Sequence, residues 1–214
     1  VTEWLDESDV AARLRTLKTD ASAWRLPQDA GQFSLAGAQP KIALLFDGAR
    51  WGVPSGRTPT THILKPPVVG FDGHAENEYL CLSLARSLGM PVARSEVRNF
   101  GEETAIVVER YDRALKGKDL VRVHQEDMCQ ALAIHPAKKY QNDGGPGARE
   151  IVSLLRETVT ASVQPVLNQV GFNAASAIYR GADDDIQWLF DALIFNWLIA
   201  GTDAHAKNYS VLIG

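Results

Sequence analysis

Lys41-Ile42-Ala43-Leu44-Leu45-Phe46-Asp47-Gly48-Ala49-Arg50-Trp51-Gly52-Val53 reads as a strand, a tight turn and a returning strand. Large apolar residues suit a pleated surface, and Asp-Gly supplies the backbone that a hairpin turn needs. Working outward, Thr60 to Lys65 reads as a further strand, stopped by Pro66-Pro67. Val92 to Val97 and Thr104 to Glu109 read as the last two strands of a small antiparallel sheet. Between Lys65 and Val92, residues 75–88 are helical: Leu80, Leu84 and Leu88 share a face, and Gly89 with Pro91 supplies the stop. Ser8 to Leu17 reads as a short capped helix with Val10, Leu14 and Leu17 on one side.

Beyond Glu126 the pattern changes, and everything there reads as helix. Met128, Cys129 and Leu132 form one apolar stripe; Ile151, Leu154, Leu155 and Val159 form another. Ile186, Leu189, Phe190, Leu193, Trp197 and Leu198 make the longest, widened by Ile194 until the helix is apolar nearly all round, which predicts a core helix. A strand-rich half followed by a helical half is an α+β arrangement in two lobes. The expected division is 1–112 and 113–214, with the junction near Tyr111 to Lys118.

Composition excludes several classes. The 214 residues carry 22 Lys and Arg against 26 Asp and Glu, a net charge of -4 with the basic residues scattered, so charge does not support direct nucleic-acid binding. The longest apolar run, Ile186 to Ala200, contains Gln187, Asp191 and Asn196, against a membrane span. Trp4-Leu5-Asp6-Glu7 is too acidic for a signal peptide. Cys81 and Cys129 sit in apolar helical patterns and fit a reducing cytoplasm.

Three segments carry chemistry. Phe33-Ser34-Leu35-Ala36-Gly37-Ala38-Gln39-Pro40-Lys41 is a small-residue run before a strand, suited to bring backbone N–H groups close to phosphate oxygens or, more plainly, to turn the chain. Lys65 ends a strand and Glu78 follows on a helix; a lysine gripping nucleotide phosphates needs such a carboxylate, although both also suit a solvated surface. Gly201-Thr202-Asp203-Ala204-His205-Ala206-Lys207-Asn208-Tyr209 begins where the apolar helix stops. An aspartate there can take the proton of an attacking hydroxyl, and an asparagine five positions on can reach a phosphate-bound magnesium ion, the spacing of a protein-kinase catalytic loop. A metal site on Asp203 and His205 and a plain polar loop are the competing readings; zinc would want a further ligand.

Several segments in order resemble one family. They are Ser34 to Lys41, Thr60 to Lys65, Asn77-Glu78-Tyr79, Val108 to Arg113, Gln125 to Gln130, Lys139-Tyr140 with Asp143 to Gly147, and Thr202 to Asn208. Together they resemble the HipA kinase toxins of bacterial toxin–antitoxin modules, over roughly residues 32 to 214. The resemblance implies a bilobal protein-kinase-like fold: a small antiparallel β-sheet lobe with one helix, a mainly helical lobe, and a truncated C-terminus.

It implies that Ala36, Gly37, Ala38, Gln39, Pro40 and Lys41 cover the phosphates of ATP and that Lys65, held by Glu78, binds them. Glu109, Arg110 and Tyr111 would meet the adenine through backbone groups. Asp203 would be the catalytic base; His205, Ala206, Lys207 and Asn208 would continue the nucleotide and Mg2+ site, with Asn208 a metal ligand. Ser34 would be the autophosphorylation position, where phosphate charge would expel the loop and silence the enzyme.

The implied activity is ATP-dependent phosphorylation of a protein serine or threonine, with an aminoacyl-tRNA synthetase such as the glutamyl enzyme as target and growth arrest and persistence as the result. The implied partner is a HipB-like helix-turn-helix antitoxin, with DNA met only through it. Family members carry a region before this one and continue to a second magnesium-binding aspartate. A chain from Val1 to Gly214 is therefore expected to be a fragment, poor in ATP binding and phosphate transfer by itself. Two rivals stand: a small-molecule phosphotransferase, with Asp183-Asp184-Asp185 as its only acidic cluster for a cationic substrate, and a non-catalytic antitoxin-binding co-regulator.

Overall fold

The computed structural model describes residues 2–20, 37, 39–158 and 182–213. Two compact units divide the chain: Val1–Leu88 with Val92–Tyr111, and Gly89–Pro91 with Asp112–Gly214. It is a mixed α/β structure whose sheets pair antiparallel.

The first unit holds β1 (Thr2–Leu5), α1 (Glu7–Thr19), β2 (Ile42–Phe46), β3 (Trp51–Pro54), β4 (His62–Lys65), α2 (His74–Ser87), β5 (Ser95–Phe100) and β6 (Glu103–Glu109). Its strands form a six-stranded sheet in the order β1-β3-β2-β4-β6-β5. The hairpin between β2 and β3 forms as its Asp-Gly predicts: the Asp47 carboxylate accepts from the backbone N–H of Ala49 and Arg50, and Gly48 takes a positive φ. Helix α1 starts at Asp6, which caps Asp9 while Asp9 caps it in return. Its Val10, Leu14 and Leu17 bury against Ile42, Leu44, Trp51, Leu64, Phe100 and Val107, one face of the sheet.

Pairing of Lys65 with Ile106 and of Leu64 with Val107 puts Lys65 on the opposite face, where α2 lies. Helix α2 buries Ala75 and Ala85, small residues that let it lie close; Leu80, Leu84 and Leu88 share a face, as their spacing predicts, and that face is exposed. The unit thus carries two helices, where Ser8 to Leu17 and residues 75–88 read as helical, although the resemblance implies one for the sheet lobe.

The second unit holds a hairpin of β7 (Arg113–Lys116) and β8 (Asp119–Arg122), then β9 (His124–Asp127), α3 (Met128–Ala131), α4 (Ala148–Thr158), α5 (Ala182–Leu198) and β10 (Ser210–Ile213). Short 3-10 turns occupy Pro136–Lys138, Gln141–Asp143 and Ala206–Asn208. The expectation of helix throughout after Glu126 is corrected by β10, which returns antiparallel to β9 and pairs Val211 with Glu126. Its Ser-Val-Leu-Ile text suits a strand, and a partner far back in the chain decides it. The core joins Met128, Cys129, Ile151, Leu155, Leu189 and Ala206, with Ile186 and Leu193 packed against it. Val159 lies outside the described residues.

The reading of α5 as a helix buried all round is also corrected. Among its described residues only Leu189 is buried, while Phe190, Ile194, Trp197 and Leu198 are exposed. One side meets α4 through Leu189, Ile186 and Leu193. No helix among the described residues is long and apolar enough to cross a membrane.

Candidate functional site

In the first unit β4 ends on Lys65, whose Nζ donates to Glu78 Oε1 of α2 at 2.6 Å. Both side chains are about three-quarters buried, so the carboxylate fixes an ammonium group that would otherwise swing on its stem. Lys41 stands near the pair. Burial, more than the neighbouring Lys65 charge, pulls its ammonium below the usual lysine range, and Glu78 opposes the shift. Gly37 has φ +99°, and a Cβ there would come within 2.6 Å of Lys41 Nζ. The positive φ favours glycine there, whereas the lysine tip could swing aside. Gln39 Nε2 donates to the Pro66 carbonyl, anchoring the stretch that runs through Pro40 into β2. Ser34, Ala36 and Ala38 lie outside the described residues. Of the segment 109–111, the backbone N–H groups of Glu109 and Arg110 donate to the carbonyls of Arg94 and Thr61, so those two donors are committed; Tyr111 ends the unit.

In the second unit the end of α5 delivers the Asp203 loop. The chain leaves the helix through Ala200 at φ 55°, and Gly201 N–H closes on the Asn196 carbonyl. Asn196 Nδ2 also donates to the Tyr209 hydroxyl at 3.0 Å, so one residue ties both ends of the loop, one through its carbonyl and the other through its side chain. Asp203 is 71% exposed, and its Oδ1 accepts the Tyr140 hydroxyl at 2.8 Å. That bond, with a lesser push from burial, raises the Tyr140 phenol above its ordinary range and keeps it a neutral donor.

His205 is buried with its ring edge-on to Tyr140, its Nε2 is 3.5 Å from Asp203 Oδ1, and its Nδ1 has no hydrogen-bond partner among the described residues. Asn208 donates through Nδ2 to the Asp203 carbonyl, which turns its Oδ1 away from that bond. Ala206, buried, donates its N–H to the Lys139 carbonyl. Lys207 Nζ donates to Asp127 Oδ2 at 2.6 Å, while Asp127 Oδ1 caps α3. The burial of Cys129, next to that cap, pushes its thiol up and leaves it unreactive.

Asp203, His205 and Asn208 are thus brought together, and so are Lys65, Glu78 and Lys41. Lys207, expected at a nucleotide, pairs with Asp127. Sequence reasoning gave no role to Tyr140 or Asp127, although both fall in the segments that carry the resemblance. Among the described residues no group of three or more His, Cys, Asp or Glu could hold a metal, so Asp203 and His205 have no third ligand of those types.

Residues 33–214 match the sequence model of the HipA-like C-terminal domain. The chain belongs to that family. It is 38% identical over 213 residues to a Sinorhizobium fredii protein named "Putative kinase Y4mE", covering 97% of this chain and 44% of that one. It is 35% identical over 184 residues to the serine/threonine-protein kinase toxin HipA of Shewanella oneidensis, covering 84% of this chain and 39% of the toxin. A solved complex of HipA, HipB and operator DNA from Shewanella oneidensis matches with TM-score 0.70 at 26% identity, covering all of this chain and 47% of the matched one. This chain spans less than half the length of each of these relatives.

Proposed function

We propose that this HipA-family chain is the core of an ATP-dependent protein serine/threonine kinase of bilobal, kinase-like arrangement. The observation that carries the reading is the Asp203 loop, which presents an exposed carboxylate while Asn208 clamps its backbone. Asp203 accepts the proton of a serine or threonine hydroxyl as that oxygen bonds to the γ-phosphorus of ATP, and the bond from phosphorus to the β–γ bridging oxygen breaks, leaving ADP. Lys65, steadied by Glu78, offsets the phosphate charge that develops.

The residues fit a magnesium-assisted transfer. Magnesium is commonly held by one or two protein oxygens plus substrate phosphates, so a three-ligand protein cage is not required. Asn208 is the residue to hold it, because its Nδ2 is committed to the Asp203 carbonyl and its Oδ1 remains the acceptor. Magnesium when bound adds positive charge at the phosphates. Gly37 and Lys41 belong to the phosphate-covering segment, and the 109–111 segment meets the adenine through groups other than the two committed amides.

Finer features belong to the same proposal: autophosphorylation at Ser34, an aminoacyl-tRNA synthetase as substrate, a HipB-like antitoxin as partner, and a cytoplasmic site of action. The toxin name of one relative and the HipB-bound state of another support the partner. The test is transfer of label from γ-labelled ATP by the intact protein. Label should appear on protein hydroxyls, and Asp203→Asn should reduce it by about 10²–10⁴-fold with the fold intact. Label on a small metabolite, or an undiminished rate in the variant, overturns the reading.

A further inference from the structure

Tyr140 is the side chain that touches the Asp203 carboxylate most directly, and its delivery is specific. The segment before it folds around its own carbonyls: Lys138 N–H closes on the His135 carbonyl, and the N–H groups of Asp143 and Gly145 both close on the Tyr140 carbonyl. Gly145 lies so close that a Cβ there would stand 2.0 Å from the Lys138 oxygen and 2.7 Å from the Tyr140 oxygen. That compact turn is tied to the Asp203 loop twice, by the Lys139 carbonyl accepting from Ala206 N–H and by the Tyr140 hydroxyl donating to Asp203 Oδ1. The Tyr140 ring also packs edge-on against buried His205, with centroids 5.1 Å apart.

The hydroxyl engages one of the two carboxylate oxygens. Oδ1 receives Tyr140 and lies 3.5 Å from His205 Nε2, while Oδ2 takes no hydrogen bond among the described residues. A carboxylate on a mostly exposed loop can otherwise rotate about its χ2, a broad and shallow torsion.

We propose that Tyr140 is a positioning residue for the phosphoryl transfer: by holding Oδ1 of Asp203 it fixes the carboxylate so that Oδ2 receives the proton of the acceptor hydroxyl. The inference rests on the kinase reading of Asp203. Tyr140 touches neither substrate nor the transferred group; it acts through Asp203.

Kinetics of the intact protein with Tyr140→Phe test it, since phenylalanine keeps the ring against His205 and removes only the donor. Losing a hydrogen bond to a charged group should lower kcat by about tenfold or more, and KM for ATP should stay within about twofold of wild type because ground-state binding is untouched. An unchanged kcat overturns the proposal, and so does a raised kcat, which would mean that the hydroxyl obstructs the acceptor.

A second measurement is independent of turnover and of that variant's folding. In ring-13C-tyrosine NMR at neutral pH, the Tyr140 Cζ resonance should move between wild type and Asp203→Asn as a carboxylate acceptor becomes an amide. An identical resonance in the two proteins overturns the contact itself. If wild type transfers no phosphate while the resonance does move, the kinase reading has failed and the tether stands.

Discussion

Glu103 is a buried carboxylate on the α1 face of the sheet, reached by Lys18 at 2.6 Å and Arg15 at 3.1 Å from α1. The hydrogen bond from Lys18 holds it below the usual glutamate range, against the opposing effect of burial, with the Lys18 and Arg15 charges adding. A depressed folded-state value contributes stability above the unfolded value, and that stability is lost as pH falls through the folded one. Glu103→Gln should therefore cost about 1–2 kcal/mol at neutral pH, because both partners are partly solvated. Urea unfolding of both proteins should show the difference shrink as the pH falls below the ordinary glutamate range and the wild-type carboxyl takes up its proton; a gap that persists in acid would refute the assignment. At the same scale the sequence was legible where partners are near. Asp47 and Gly48 act within three residues of themselves and could be read directly, whereas the helix that reads from Ser8 is capped earlier, at Asp6. The Lys65–Glu78 pair spans 13 positions and was legible because a strand-end lysine needs a helical carboxylate. Tyr140 lies 63 positions from Asp203 and Lys207 lies 80 from Asp127; no local pattern encodes either contact.

Among elements, the turn carrying Lys139 and Tyr140 depends on Gly145. Its backbone is accessible to other residues, so its requirement is one of space rather than of φ: an added methyl would meet two backbone carbonyls, neither of which can swing aside like a side chain. Gly145→Ala should cost about 1–3 kcal/mol by overpacking and should also lower phosphate transfer, since the displaced turn carries the hydroxyl that holds Asp203. A melting curve and a labelling assay on the same preparation check the two effects; a stable protein at full rate would count against the tether. Strand β10 and helix α5 show where element reading ran out. Ser210 to Ile213 has strand-like residues, but the change from helix was invisible without its partner β9. Helix α5 was legible as a helix from its periodicity, and its ending at Gly201 was legible too. Its burial was not, because hydrophobicity on every side says that a face could be covered, not that it is.

For the whole molecule, a net charge of -4 does not support direct nucleic-acid binding by this chain. The solved HipA relative was captured with HipB and DNA together. The outer side of α5 places Phe190, Ile194 and Trp197 in water, with the Trp197 side 80% exposed. An indole so placed emits toward the red end of the tryptophan range and collides readily with acrylamide. Whichever surface comes to lie on α5 would shift that emission blueward and shield it from the quencher, a response that Trp197→Phe would erase. The molecule thus carries its own dye among the exposed apolar residues of α5, and titration of a purified partner against that signal would report docking there without a label.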